Sequence, residues 1–106
     1  PLRSYGHYGN NKALLSIVQP LFNTYKVNLY LCGHEHDLQL IKNPDDSNYC
    51  LVSGAGGGTR DTKLGQNSLF AQSVGGFSAI SIMSQGMLIH FYDKKATLIN
   101  SSWIPR

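Results

Sequence analysis

No apolar run in this 106-residue chain approaches the roughly 20 residues that a bilayer-spanning helix needs, so no membrane span is expected. Charge is scarce as well. At 14% charged and 42% hydrophobic residues, the composition excludes a disordered tail and a solvated helical rod. The nine Lys and Arg are scattered, with only Lys94 and Lys95 adjoining. A net charge of +3 spread so thinly does not make the clustered, aromatic-interleaved basic face of a nucleic-acid binder, and no nucleic-acid partner is expected. Cysteine is nearly absent: Cys32 and Cys50 both lie in apolar, strand-like runs, too few for a disulfide framework, and read as buried thiols. They leave the compartment unknown. An initiating Met is also missing. The chain begins on Pro1 with no signal-peptide pattern around it, and reads as one from which something upstream has been removed.

What is present suffices for one core and at most one domain. The segment from Pro1 to Gly9 is glycine-punctuated and without period, hence a loop. Asn10 or Asn11 can cap a helix in which Leu14, Val18, Leu21 or Phe22, and Tyr25 fall at helical spacing. Pro20 predicts a kink there or a division into two short helices. Val27 to Cys32 predicts a buried strand that ends at Gly33. Leu38 to Ile41 and Tyr49 to Val52, separated by turn formers, predict a hairpin. Residues 53–76 read mostly as a long loop. Three strands are expected after it, Phe77 to Met83, Met87 to Tyr92 and Ala96 to Asn100, with Trp103 packing the tail onto the sheet. The fold class is therefore α/β (α+β): one helical segment, then mostly antiparallel strands.

Gly33-His34-Glu35-His36 is the sharpest chemical signal. Two histidines at i and i+2 on a strand-terminal loop can aim at one point, and imidazole is the commonest transition-metal ligand. Gly33 would permit the sharp turn. Two ligands do not complete a site, since catalytic zinc takes three and structural zinc four. Cys32 could add a third, although its surroundings favour packing. Ser53 to Thr59 is glycine-rich but matches neither phosphate-loop template. His7 and Tyr8 are hydrogen-bonding groups for a cleft or merely exposed loop rings. His90 reads as a surface or packed histidine, and Arg60 and Lys63 as solvated loop cations or anion contacts.

These residues resemble a family. Tyr30-Leu31-Cys32-Gly33-His34-Glu35-His36-Asp37-Leu38-Gln39 resembles the last metal motif of purple acid phosphatases of the tartrate-resistant type, within the calcineurin-like metallophosphoesterases. Leu21 to Tyr25 resembles the helix before it, Leu51 to Gly56 the strand and glycine turn after it, and Ser73 to Phe77 the entry to the final hairpin. The resemblance implies that residues 1–106 are a single partial domain, the C-terminal part of a two-sheet αββα catalytic sandwich. It implies hydrolysis of phosphate monoesters by the complete protein, at a dinuclear centre of Fe(III) and a divalent ion (Fe, Zn or Mn). His34 would bind the divalent ion and His36 the ferric ion; paired metals of this kind clamp phosphoryl oxygens.

Glu35 occupies a variable position and would point away from the metals, and Asp37 stands where Asn is usual. Pro1 resembles the proline of a Gly-His-X-Pro motif. The aspartate, tyrosine and Asn-His ligands of the family have no counterpart in the chain. It would then be inactive alone, needing the missing N-terminal half or a complementary chain. Near Tyr8 the family places a substrate-facing histidine, which makes His7 and Tyr8 candidates for substrate contact. A secreted, periplasmic or lysosomal-type compartment follows from the resemblance only. Two alternatives stand beside it: a non-catalytic anchor or interaction module of the same fold, and a calcineurin-like phosphodiesterase.

Overall fold

The computed structural model describes all 106 residues, as one helix and seven strands. In chain order these are α1 (Lys12–Tyr25), β1 (Leu29–Cys32), β2 (Leu38–Ile41), β3 (Tyr49–Ser53), β4 (Ser68–Gln72), β5 (Gly76–Met83), β6 (Gly86–Asp93) and β7 (Leu98–Pro105). One sheet has the order β1-β3-β2-β4, with β1 parallel to β3 and the other pairs antiparallel. The second is the antiparallel meander β5-β6-β7.

Asn11 starts α1: its side chain accepts from the Leu14 N–H at 3.0 Å, satisfying a donor that the first turn leaves free. Lys26 ends it in a left-handed conformation, φ 55°, with its N–H on the Phe22 carbonyl. Contrary to expectation, α1 is not divided at Pro20 but runs through it. Pro20 and Ser16 are both exposed, so the Ser16 carbonyl that loses its usual donor is open to water. The face turned to the sheet carries Leu14, Leu15, Val18 and Phe22. Leu21 and Tyr25, expected on that stripe, face out at 53% and 76% exposure.

The first sheet is covered on both sides. Leu38 and Leu40 of β2 and Leu51 of β3 meet Ile89, Phe91 and Ile104 of the second sheet. Ile41 and Cys50, on the opposite face, meet Leu2 and the helix. All four residues of β2 are buried, as expected of a strand packed on both faces. The layers are therefore helix, sheet, sheet, an α+β arrangement. The N-terminal segment is bound into it: Arg3 pairs with Asp46, Nη2 to Oδ1 at 3.0 Å, and Leu2 is fully buried.

Three strand expectations need correction. The strand predicted from Val27 is β1, which starts at Leu29 because Lys26 and Val27 spend their N–H groups closing the helix on the Phe22 carbonyl. It is an edge strand rather than a buried one, with Leu31 half exposed. The long loop of residues 53–76 contains β4, which hydrogen-bonds to β2. The last strand runs from Leu98 to Pro105, not from Ala96, because Ala96 sits in a turn at φ 62°. The Asp93 carboxylate holds that turn, accepting from the N–H groups of Lys95 and Thr97. Trp103 is consequently a strand residue, opposite Leu88 and half exposed, rather than a plug for the tail.

Candidate functional site

The connection from β1 to β2 is only five residues, Gly33 to Asp37, and it carries both histidines. The turn is made by His34 itself, at φ 73°, not by Gly33. Histidine is among the side chains that tolerate this left-handed region best. Alternation then sorts the loop. His34 is exposed and His36 half-buried, while Glu35 and Asp37 are fully buried. Gly54 lies beneath the loop: a Cβ there would come within 1.8 Å of the Glu35 carbonyl oxygen, so the close approach requires glycine. The Gly54 N–H donates to the Asp37 carbonyl at 3.0 Å, locking the two segments together.

Glu35 points inward, and its role is visible there. One carboxylate oxygen accepts from the Ser4 hydroxyl and from the Tyr8 N–H at 3.0 Å. Gln39 braces the same segment: its amide nitrogen donates to Ser4 Oγ at 3.1 Å and to Asp37 Oδ1 at 2.9 Å, and its oxygen accepts from the Tyr5 N–H at 3.0 Å. Burial pushes the Asp37 carboxyl above its usual range, opposed by the Gln39 hydrogen bond. Gly6 fits over both acids because it has no side chain, a Cβ there falling 2.5 Å from Asp37 Oδ2. The segment from Ser4 to Tyr8 is thus fixed to the Gly33–Asp37 loop by buried polar contacts.

The consequence is aromatic. The Tyr8 ring lies on the His34 imidazole, centroids 4.2 Å apart and planes at 17°. His7 meets Tyr8 edge-on at 4.9 Å. A cleft of about 500 Å³ opens beside the stack, lined by Tyr8, His34, Pro1 and the start of α1. A second, of about 650 Å³, holds His7 with Arg60 and Lys63. The fold therefore brings His34 together with Tyr8 and His7, which precede it by 26 and 27 positions.

Other candidates fall elsewhere. The Cys32 thiol donates to the Leu51 carbonyl of β3 at 3.6 Å, and burial pushes its ionisation up, as befits a packed thiol. His90 is half-buried in β6, edge-on to Tyr92. No three His, Cys, Asp or Glu side chains gather into a group that could hold a metal ion. The two motif histidines are accompanied by two acids, each buried with one carboxylate oxygen hydrogen-bonded and the other without a partner. Arg60, which the sequence left among the loop cations, is the residue whose position was missed. Its Nη1 donates to the Tyr8 hydroxyl at 3.2 Å across 52 positions of sequence, a relation that no local pattern announces.

No protein-family profile matches the chain. It is similar to tartrate-resistant acid phosphatase type 5 of Homo sapiens, with 29% identity over 116 aligned positions covering all of this chain and 35% of the human protein. It is also similar to purple acid phosphatase 4 of Arabidopsis thaliana, 30% identical over 96 positions, 87% of this chain and 28% of that protein. The chain thus spans about a third of the length of these curated relatives. Among solved structures, it superimposes with a TM-score of 0.90 on GAP50, the anchor in the inner membrane complex of Plasmodium. That match has 24% identity and covers 99% of this chain and 34% of the other, so it speaks to fold alone.

Proposed function

From the premise that this chain is a purple-acid-phosphatase-like sequence, similar along its whole length to tartrate-resistant acid phosphatases, we propose that it is the His34/His36 part of a metal-dependent phosphomonoesterase. The observation that carries this reading is the loop from Gly33 to Asp37, whose two imidazoles leave a strand end while its acids anchor it from below. Residues outside this chain complete the centre, and the 106 residues alone are inactive toward phosphate esters.

The donors present fit part of a dinuclear centre. Imidazole suits a divalent ion such as zinc, whereas a ferric ion also requires anionic oxygen ligands. Glu35 and Asp37 do not supply these, because their carboxylates are fully buried under the Ser4–Tyr8 segment. His34 is the ligand for the divalent ion and His36 for Fe(III), with Fe, Zn or Mn as the divalent partner. When bound, the metal pair supplies Lewis-acid polarisation of the phosphoryl group. The chain's own contribution is placement: Tyr8 covers one face of His34 and limits the ring's rotation, and His7 and Tyr8 line the approach for a phosphate monoester.

A second reading is favoured by one observation, the fold shared with the anchor of the Plasmodium inner membrane complex. On that reading the sandwich is an interaction module. Metal analysis and p-nitrophenyl phosphate hydrolysis by the complete protein separate the two. Two metal ions per chain and turnover, both lost in His34→Ala and His36→Ala, support the phosphatase. A metal-free, inactive complete protein supports the anchor.

A further inference from the structure

One cation beside the candidate site is held in place yet has no counter-ion. The Arg60 N–H donates to the His36 carbonyl at 2.8 Å, and its own carbonyl accepts from the Ser73 hydroxyl. Its backbone is therefore tied both to the loop bearing the two histidines and to the chain leaving β4. The guanidinium lies 5.7 Å from the centre of the Tyr8 ring. With Tyr8 stacked on His34 and its hydroxyl bonded to Arg60, the phenol links the guanidinium to the imidazole. The chain has a single ion pair, Arg3 with Asp46, so Arg60 neutralises no acid.

Those facts have a chemical consequence. A guanidinium carries five donors in a planar fork, and only one of these is spent, on the Tyr8 hydroxyl. The bond to the Tyr8 hydroxyl and the neighbouring ring restrict the side chain before any ligand arrives, so less freedom is lost on binding. Lys63 lines the same cleft and adds a second positive charge, against one acid, Asp61. Two cations suit a dianion better than a carboxylate. Tyr8 contacts both Arg60 and His34, and the guanidinium bonds to neither histidine side chain, so it is placed to meet a group other than one held at the imidazoles.

We propose that Arg60, with Lys63 in the same cleft, is an oxyanion-recognition site linked to His34 through Tyr8, which takes a second phosphate on a phosphate-ester substrate. This rests on the phosphatase reading for its substrate and on Arg60's own geometry for its position.

The first test needs no metal centre. Inorganic phosphate is titrated into the complete protein, stripped of metal by a chelator, at ionic strength fixed with chloride, while NMR follows Arg60 Nε–H and the Tyr8 ring. Both signals shift and saturate, and Arg60→Ala weakens the affinity about tenfold, the loss of one charge-assisted contact. Arg60→Lys keeps the charge without the fork and restores only part of the affinity. Non-saturating shifts, or equal affinity in wild type and Arg60→Ala, overturn the proposal. Loss of metal binding at His34 and His36 would leave this titration unchanged, so the two readings fail separately. In the active complete protein, Arg60→Ala raises KM more for an ester with a second phosphate than for p-nitrophenyl phosphate; equal increases count against the proposal.

Discussion

Replacing Gly54 by Ala puts the smallest possible side chain at the tightest point of the molecule. The added Cβ would lie 1.8 Å from the Glu35 carbonyl oxygen and 2.9 Å from the Glu35 carbonyl carbon, where ordinary contact begins at 3.4 Å. Both obstructing atoms are backbone, so no side-chain rotation relieves the clash, and the loop from Gly33 to Asp37 must move away from β3. Such overpacking costs about 3 kcal/mol or more. The movement also threatens the Gly54 N–H bond to the Asp37 carbonyl and displaces His34, whose N–H lies 3.4 Å from the same Cβ. Urea denaturation should show the loss of stability. Zinc titration should show weaker binding by whatever remains folded. Gly56, Gly57 and Gly58 supply the control, since a Cβ at any of them meets nothing within 4 Å. Alanine there should shift stability by less than about 0.5 kcal/mol, as at ordinary surface positions. A Gly54→Ala chain as stable as the Gly57→Ala chain, with unaltered zinc affinity, would refute the account of the loop.

Three further outcomes are expected. Asn11→Ala removes the acceptor for the Leu14 N–H and should cost about 1 kcal/mol in urea, with Asn11→Ser recovering most of it. Glu35→Ala leaves the Ser4 hydroxyl and the Tyr8 N–H without their acceptor, at about 1–3 kcal/mol. It should also abolish the ring-current shift that Tyr8 imposes on the His34 imidazole protons; a retained shift would show that something else holds Tyr8 in place. Burial pushes the Cys50 thiol up to about 11. Above pH 9 the unfolded thiol therefore ionises while the native one keeps its proton, and stability falls with rising pH. The fall amounts to about 1.9 kcal/mol between pH 9 and pH 11, and urea midpoints should show that slope flattened in Cys50→Ala.

The elements legible in the sequence were those whose pattern and burial agree. Leu38 to Ile41 and Tyr49 to Val52 are apolar because both faces of the central strands are covered, and they form the predicted hairpin. The structure departs from expectation where tertiary position overrides local pattern. β4 buries only Phe70, too little to show against the polar stretch around it. Tyr25 has helical spacing from Leu14, yet the helix rests on the sheet through Phe22, and Tyr25 turns outward. Pro20 signals a break, but on an exposed face the Ser16 carbonyl that it leaves without a donor is open to solvent.

The candidate site divides along a similar line. Gly33-His34-Glu35-His36 is legible because the four residues are contiguous and the chemistry of paired imidazoles needs no distant partner to be suspected. Glu35 is buried, and the sequence could not show that it reaches back 31 positions to hold Ser4, and through Tyr8 to cover His34. Arg60 is further removed, joined to Tyr8 across 52 positions and to His36 by its backbone. What joins these residues is the packing of the N-terminal segment and the glycine-rich loop against one short connection. The chemistry-bearing residues lie in local sequence, while their orientation comes from contacts between segments that are local only in three dimensions. That is why changing Gly54, which carries no chemistry, is expected to disturb the site as much as changing a histidine.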